Sequence, residues 1–567
     1  MKRTLTIILA LLPLTSCLLP LQAQKPADLN KAVVNVITYD ANDNVLHNAY
    51  AFLLGSEGEV VAPYQAFKGA ARADIINWQG QTAHALRIVG ASSEYDLVRF
   101  TTDIPTKKLV GLELASTHAS KGEQLQLAYY NNAKKSLPES AGITAADSYN
   151  EHYYYELTTP NEDRFVGCPL VDAEGHVVAL VQKNVQKDAT TACAIDVNFV
   201  NTLSVSTMSV FNADLNSILI PKQIPTTNED DAFSYVYMLL HSVKDPAMVI
   251  PATDDFIAAF PTNTKIYAER ATFNANRGEY ALADADFQRG IEIGGESLSD
   301  LYHTQSVLMY NKMQTTAPEV WPAWTLETAL QAAEQAYATQ PQPIYLLQQG
   351  QVLFSLQQYE QAYEKFNAVN ATEIASSQTF YFAANALERA NGDDATIMAL
   401  LDSAVNRLAK PYNEEAAPYL LARAQHLDNG GQHRRAVQDY NEYEKIVGTL
   451  NLNAYFYYLR MQAEIGSHMY QQALDDATTA ISRATDAADK ADYLFERACL
   501  ELQVGLFDEC IASSEAVIAL DANYAEAYKV CGVAYGEKKQ KAKAAEYLKK
   551  AASLGAERTD ELLLKYK

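Results

Sequence analysis

A chain of 567 residues is too long for one core and divides into two or more domains. Its 48% hydrophobic and 20% charged content excludes a disordered polymer. A net charge of −24 argues against nucleic acid and anionic lipid as partners, because both repel an acidic surface.

The first 26 residues, MKRTLTIILALLPLTSCLLPLQAQKP, give a short basic start, an apolar stretch, then small or polar residues. This is the pattern of an export signal. Two cleavages compete. Cutting after Ala23 leaves a soluble periplasmic or secreted protein. Leu14-Thr15-Ser16-Cys17 also has the form of a bacterial lipobox, which would leave a lipidated Cys17 and an outer-membrane lipoprotein. The apolar run after Cys17 is unusual for a lipoprotein and favours the first. No later segment has about 20 unbroken apolar residues, so no membrane-spanning helix is expected there.

From residue 28 to about 205 the pattern is short alternating runs between turn residues: VVNVITY, AYAFLL, EVVA, ADIINW, HALRIV, DLVRFT, QLQLAYY, HYYYEL, HVVALVQ and CAIDV. A period of two with Gly, Asn and Asp turns predicts an all-β barrel or sandwich. VNFVNTL then predicts a short closing helix. Residues 206–229, with two prolines, predict a linker ending in a helix N-cap. Beyond Cys17, the cysteines are Cys168, Cys193, Cys499, Cys510 and Cys531, an odd and sparse set. Buried thiols are the plain reading; an oxidising compartment would also permit a Cys168–Cys193 bridge.

The order of these pieces resembles the trypsin-like serine proteases, especially their bacterial HtrA-like branch. The resemblance spans about 175 residues. It rests on NVLHNAYAFLLGSEGEVVAPYQAFKGA, SSEYDLVRF, VGCPLVDAEGHVVALV and ACAIDVNFV. It implies two packed β-barrels. It also shows what the chemistry would lack. The family's general-base His falls on Gln65, and a carboxamide cannot take and return a proton near neutral pH. Its Asp falls on Asp96. Its nucleophilic Ser falls on Val166, three residues before Pro169. In the oxyanion loop, the first glycine falls on Arg164, while Gly167 is kept. The resemblance therefore implies a pseudoprotease, with Asp96 a structural carboxylate. Cys168 is the candidate alternative nucleophile, but it stands two residues after the Ser position. His47 and His176, the nearest histidines in sequence, do not match the base position.

From residue 230 to 567 the period changes to 3.6 and a repeat appears. Repeats starting near 491 and 525 are in register at about 34 residues. The pattern resembles the tetratricopeptide repeat (TPR). Its small positions fall on Ala271 and Ala283, Gly350 and Ala362, Ala424 and Ala436, and Gly532 and Ala544. Small residues let paired helices approach, and aromatics fill the gap to the next pair. About seven or eight hairpins are expected, one carrying the insertion TTAPEVWPAW. The first-helix positions expected to face a partner are Leu347, Gln351 and Phe354; Leu421 and Gln425; Tyr455, Tyr458 and Gln462; then Asp492 and Phe495. They lack the Lys, Arg and Asn of a carboxylate clamp, and suit a helix or extended segment of another protein.

The fold class expected is thus an all-β double barrel plus an all-α solenoid. The function expected is a non-catalytic, exported scaffold that binds a protein or peptide. The alternatives are an active peptidase using Cys168 with repeats that recruit substrate, and a lipoprotein subunit of an envelope assembly. No metal or other cofactor is expected, since no ligand cluster, phosphate loop or dinucleotide motif is present.

Overall fold

The computed structural model describes residues 26–131, 137–150, 152–225, 228–315 and 321–566. The export signal and Cys17 lie outside these, as do residues 316–320 of the expected insertion. Two compact units are present, one ending at Ser297 and one running from Leu298.

Among the described residues, the first unit holds twelve strands in two closed barrels, after short helical turns over residues 26–32. The first holds β1 (Val33–Tyr39), β2 (Val45–Leu54), β3 (Glu59–Ala62), β4 (Arg72–Ile76), β5 (Thr82–Ser92) and β6 (Leu97–Thr102). Their order is β1-β2-β3-β6-β5-β4, and β1 pairs with β4 to close the ring. The second holds β7 (Gln124–Leu127), β8 (Glu139–Tyr149), β9 (His152–Pro160), β10 (Pro169–Val171), β11 (Val177–Gln182) and β12 (Thr191–Asp196). Its order, β7-β8-β9-β12-β11-β10, repeats the first. Closure leaves neither sheet an exposed edge.

Alternation sorts the side chains. Val34 and Val36 of β1 fill the first barrel with Leu53, Val60 and Phe100. Val33, Phe52, Val61 and Leu97 join the core of the second barrel, with Phe165, Leu170 and Leu180. One strand set therefore serves both the barrel interior and the seam between barrels. Residues 197–202 form the expected short closing helix, a 3₁₀ turn capped by Asp196.

The segment 206–229 is not a free linker. Leu215, Ile218 and Ile220 are buried in the first barrel's core. Backbone bonds join Ile88 N–H to Pro221 O and Gln223 N–H to Ile88 O, both 2.9 Å. Lys222 is buried there, donating from Nζ to the carbonyls of Ile218 and Ile220. Burial lowers its pKa to about 7.

Helices follow as antiparallel pairs. The first unit contains α1 (Glu229–Ser242) with α2 (Pro246–Ala259), and α3 (Lys265–Asn276) with α4 (Tyr280–Ile293). Arg87 of β5 grips Asp255 of α2 through Nε at 2.6 Å and a terminal nitrogen at 3.0 Å. Val210 and Ile224 of the connector pack against Tyr235 and Val236 of α1. These contacts bind the first helix pair to the first barrel and the connector.

The second unit pairs α5 (Leu298–Gln314) with α6 (Leu326–Thr339), α7 (Pro343–Ser355) with α8 (Tyr359–Asn370), and α9 (Ser377–Arg389) with α10 (Asp394–Asn406). Then come α11 (Ala417–Asn429) with α12 (His433–Val447), α13 (Ala454–Gly466) with α14 (Tyr470–Arg483), and α15 (Ala487–Gln503) with α16 (Phe507–Leu520). Finally α17 (Ala525–Glu537) pairs with α18 (Lys541–Ser553), and α19 (Thr559–Lys565) ends the described chain. Among the described residues there are nine helix pairs, eight of them from α3 onward. The pair α1/α2, with Pro246 and Pro251 in its second helix, does not carry the repeat pattern.

The small positions work sterically. A Cβ on Gly350 would lie 2.6 Å from the Phe366 ring, and one on Gly532 would lie 2.8 Å from Leu548. Polar ties repeat as well. Arg270 holds Asp286, Arg423 holds Asp439, and Arg460 holds Asp476, each pair 16 residues apart across a hairpin.

Candidate functional site

Pro63 leads from β3 into a 3₁₀ turn, Tyr64–Ala66, which places Gln65 at the surface. The Gln65 backbone N–H donates to the Asp96 carboxylate at 2.8 Å, and Tyr64 N–H donates to the Asp96 carbonyl at 3.2 Å. Gln65 and Asp96 are thus brought together, by backbone rather than through a side chain that could carry a proton. Burial raises Asp96 to about 6, against the pull of the Gln65 and Tyr64 amides. Nearby, Gln182 donates to the Tyr95 carbonyl at 2.8 Å and accepts from the Tyr154 hydroxyl.

The second loop is a 3₁₀ turn, Asp163–Phe165. The Val166 N–H donates to the Asp163 carbonyl at 3.2 Å, so this amide is spent inside the turn. Gly167 has φ +82°, and a Cβ there would lie 1.9 Å from the Tyr50 carbonyl. Only glycine combines that backbone with that approach. Arg164 is exposed, its guanidinium 4.2 Å over the Phe165 ring and 2.6 Å from Glu162. Arg164 thus takes a 3₁₀ backbone at the position where the family pattern has a glycine.

Cys168 is fully buried, with its S–H toward the Arg164 carbonyl at 3.6 Å. Burial pushes its thiol up to about 12. Such a thiol holds almost no thiolate near neutral pH. His47 lies exposed on β2, and His176 sits 3.5 Å from Asp172. The Cys168–Cys193 bridge does not form. Both are free thiols, with Cys193 turned toward the Gln182 carbonyl at 3.8 Å.

Sequence reasoning missed one cluster. Asp196, completely buried, lies 2.7 Å from His118 Nδ1 and 3.7 Å from His152 Nδ1. The three residues come from separate strands and loops, so no local spacing announces them. Among the described residues no group of His, Cys, Asp and Glu is arranged to hold a metal ion.

In the second unit the first-helix positions expected to face a partner line two depressions. Gln351 and Phe354 line one of about 170 Å³ with Tyr310, Phe366 and Phe382. Leu421, Gln425 and Tyr455 line another of about 210 Å³ with Tyr443 and Leu459. Leu347 packs on the cluster that holds Phe354. Tyr458, Gln462 and Phe495 continue the second patch: Tyr458 stacks on Tyr455, Gln462 reaches Glu496, and Phe495 meets Tyr524.

No protein-family model matches the chain, and no curated protein matches it. Among solved structures, the Rv3671c protease from M. tuberculosis in its active form is 17% identical, with a TM-score of 0.27, over 31% of this chain and 81% of that one. A serine endoprotease from Yersinia pestis is also 17% identical, with a TM-score of 0.27, over 32% of this chain and 63% of its own. MamA is 21% identical, with a TM-score of 0.26, over 30% of this chain and 95% of its own. The architecture itself defines the class: two six-stranded barrels of one strand order, then stacked helix pairs with small residues at their crossings. The chain joins a trypsin-like double barrel to a TPR-type helical array.

Proposed function

We propose that the protein is an exported, non-catalytic scaffold whose helical array binds a protein or peptide partner. The observation that carries the reading is the Gln65–Asp96 contact. A carboxylate holds the amide of a residue that bears a carboxamide, with no imidazole between them. Acyl transfer needs a base, a nucleophile and free donors for the oxyanion. The Val166 position offers an aliphatic side chain and an amide already bonded to Asp163. Burial of Cys168 counts against the cysteine-peptidase alternative. Export is expected from the leader, with retention at the outer membrane if Cys17 is lipidated; lipid labelling lost on Cys17→Ala would separate the two.

The test uses residues 24–567 with denatured casein, fluorophosphonate and iodoacetamide. No hydrolysis and no labelling of native Cys168 are expected. Turnover lost on Cys168→Ala would overturn the reading. A photo-crosslinker at Tyr455 or Phe354 is expected to capture a partner from envelope extracts, and one at exposed Glu174 is not.

A further inference from the structure

The face around Tyr455 has a chemistry that selects among partners. Tyr455 on α13 is 54% exposed and stacks on Tyr458 with ring centroids 6.2 Å apart. Tyr458 meets Tyr493 of α15 at 5.2 Å. Phe495 of α15 meets Tyr524 at 5.1 Å. Ring contacts thus cross from α13 to α15 through Tyr458 and buried Tyr493, and from α15 to the start of α17 through Phe495 and Tyr524.

Carboxylates run through it. Exposed Asp492 accepts from the Tyr524 hydroxyl at 3.0 Å, and Glu496 accepts from Gln462 at 3.4 Å. Burial raises the Tyr458 phenol, and the charges of Glu496 and Asp492 push the same way. Three of the neighbouring cations are engaged elsewhere. Lys529 pairs with Glu526, Arg497 with Glu501, and Arg460 with Asp476 and Glu444. The face therefore offers tyrosine rings and negative charge, with Lys529, Arg497 and Arg460 committed to other pairs.

We propose that this face binds an extended segment of a partner protein that carries Lys or Arg, its cations seated between the tyrosine rings and Asp492 and Glu496. A cation over a tyrosine face is attracted by the ring quadrupole, and a carboxylate alongside adds a charge-assisted hydrogen bond. The methylene stem lies along the ring while the charged head reaches the acid. An apolar side chain of the same segment enters the depression beside Leu421 and Leu459. The chain's net charge of −24 steers such a segment inward. The inference rests on the helical array being the partner-binding surface.

The test is fluorescence anisotropy of residues 24–567 with short peptides of one Ser/Leu framework that differ only in carrying Arg, Gln or Glu. The Arg peptide is expected to bind, the Gln peptide about ten-fold more weakly, and the Glu peptide not at all. Asp492→Asn with Glu496→Gln is expected to weaken the Arg peptide about ten-fold, and Tyr455→Ala to weaken it as well. Glu57→Gln with Glu174→Gln removes the same charge from exposed barrel positions and is expected to leave binding unchanged. Equal binding of the Arg and Gln peptides, or full binding by the Asp492/Glu496 variant, would overturn the choice of a basic partner and leave the partner-face reading standing. Binding of no peptide, with no crosslink at Tyr455, would remove both.

Discussion

At the scale of single residues, Asp96 is the most informative position in the barrels. Its pKa of about 6 lies above the ordinary carboxylate value because burial disfavours the charged form. The folded state therefore binds the proton more tightly than the unfolded chain does. Stability from this group falls as pH rises through about 4 to 6 and is level above. The loss is at most about 3 kcal/mol, less where water screens the site. Asp96→Asn keeps the acceptor for the Gln65 amide and is expected to flatten that slope in urea titrations run from pH 4 to 7. A second prediction concerns restored side chains. Gln65→His with Val166→Ser is expected to give no detectable casein hydrolysis, because the Val166 amide remains bonded to Asp163. The side chains at these loops were legible in the sequence. The use of the Val166 N–H was not, since a backbone bond inside a 3₁₀ turn leaves no trace in composition. The His118–Asp196–His152 cluster was hidden because sequence distance separates its members.

At the scale of elements, ten strands and the hairpin repeat follow from periodicity, and the exceptions have physical causes. β8 reads ESAGITAADSY, with Ala, Ser, Gly and Asp where a strand signal needs branched or aromatic residues. β10 is three residues long and lies within the loop segment. Pairing with strong neighbours supplies what their own residues do not. The arginine ties between paired helices were also unread, because the repeat pattern is carried by its small and aromatic positions. Arg460, only 7% exposed, faces Asp476, Glu444 and Glu464. Removing it strands buried carboxylates. Arg460→Met is expected to cost about 3–5 kcal/mol by chemical denaturation. Arg289→Ala, which breaks an exposed pair on α4, is expected to cost under about 0.5 kcal/mol.

At the scale of the molecule, the change of period near residue 230 marks where strands give way to helices, but the first compact unit continues to Ser297. The reason lies in particular contacts, the Arg87–Asp255 grip and the packing of Val210 and Ile224 on α1. A connector with two prolines and a polar end reads as a tether, yet its Leu215, Ile218 and Ile220 complete the first barrel's core. Ile218→Ala is expected to destabilise the first barrel by about 2–4 kcal/mol, measured by hydrogen exchange of β1 and β6 amides. That dependence also bears on how the chain is made. Leu215, Ile218 and Ile220 emerge only after every strand of both barrels. As the chain leaves a ribosome or a translocation pore, the first barrel's strands are complete at Thr102, but the part of its core that Leu215, Ile218 and Ile220 fill stays open while the whole second barrel is synthesised. The first barrel to appear is therefore the last of the two to complete its core, and that gap is open to chaperones and proteases during the interval.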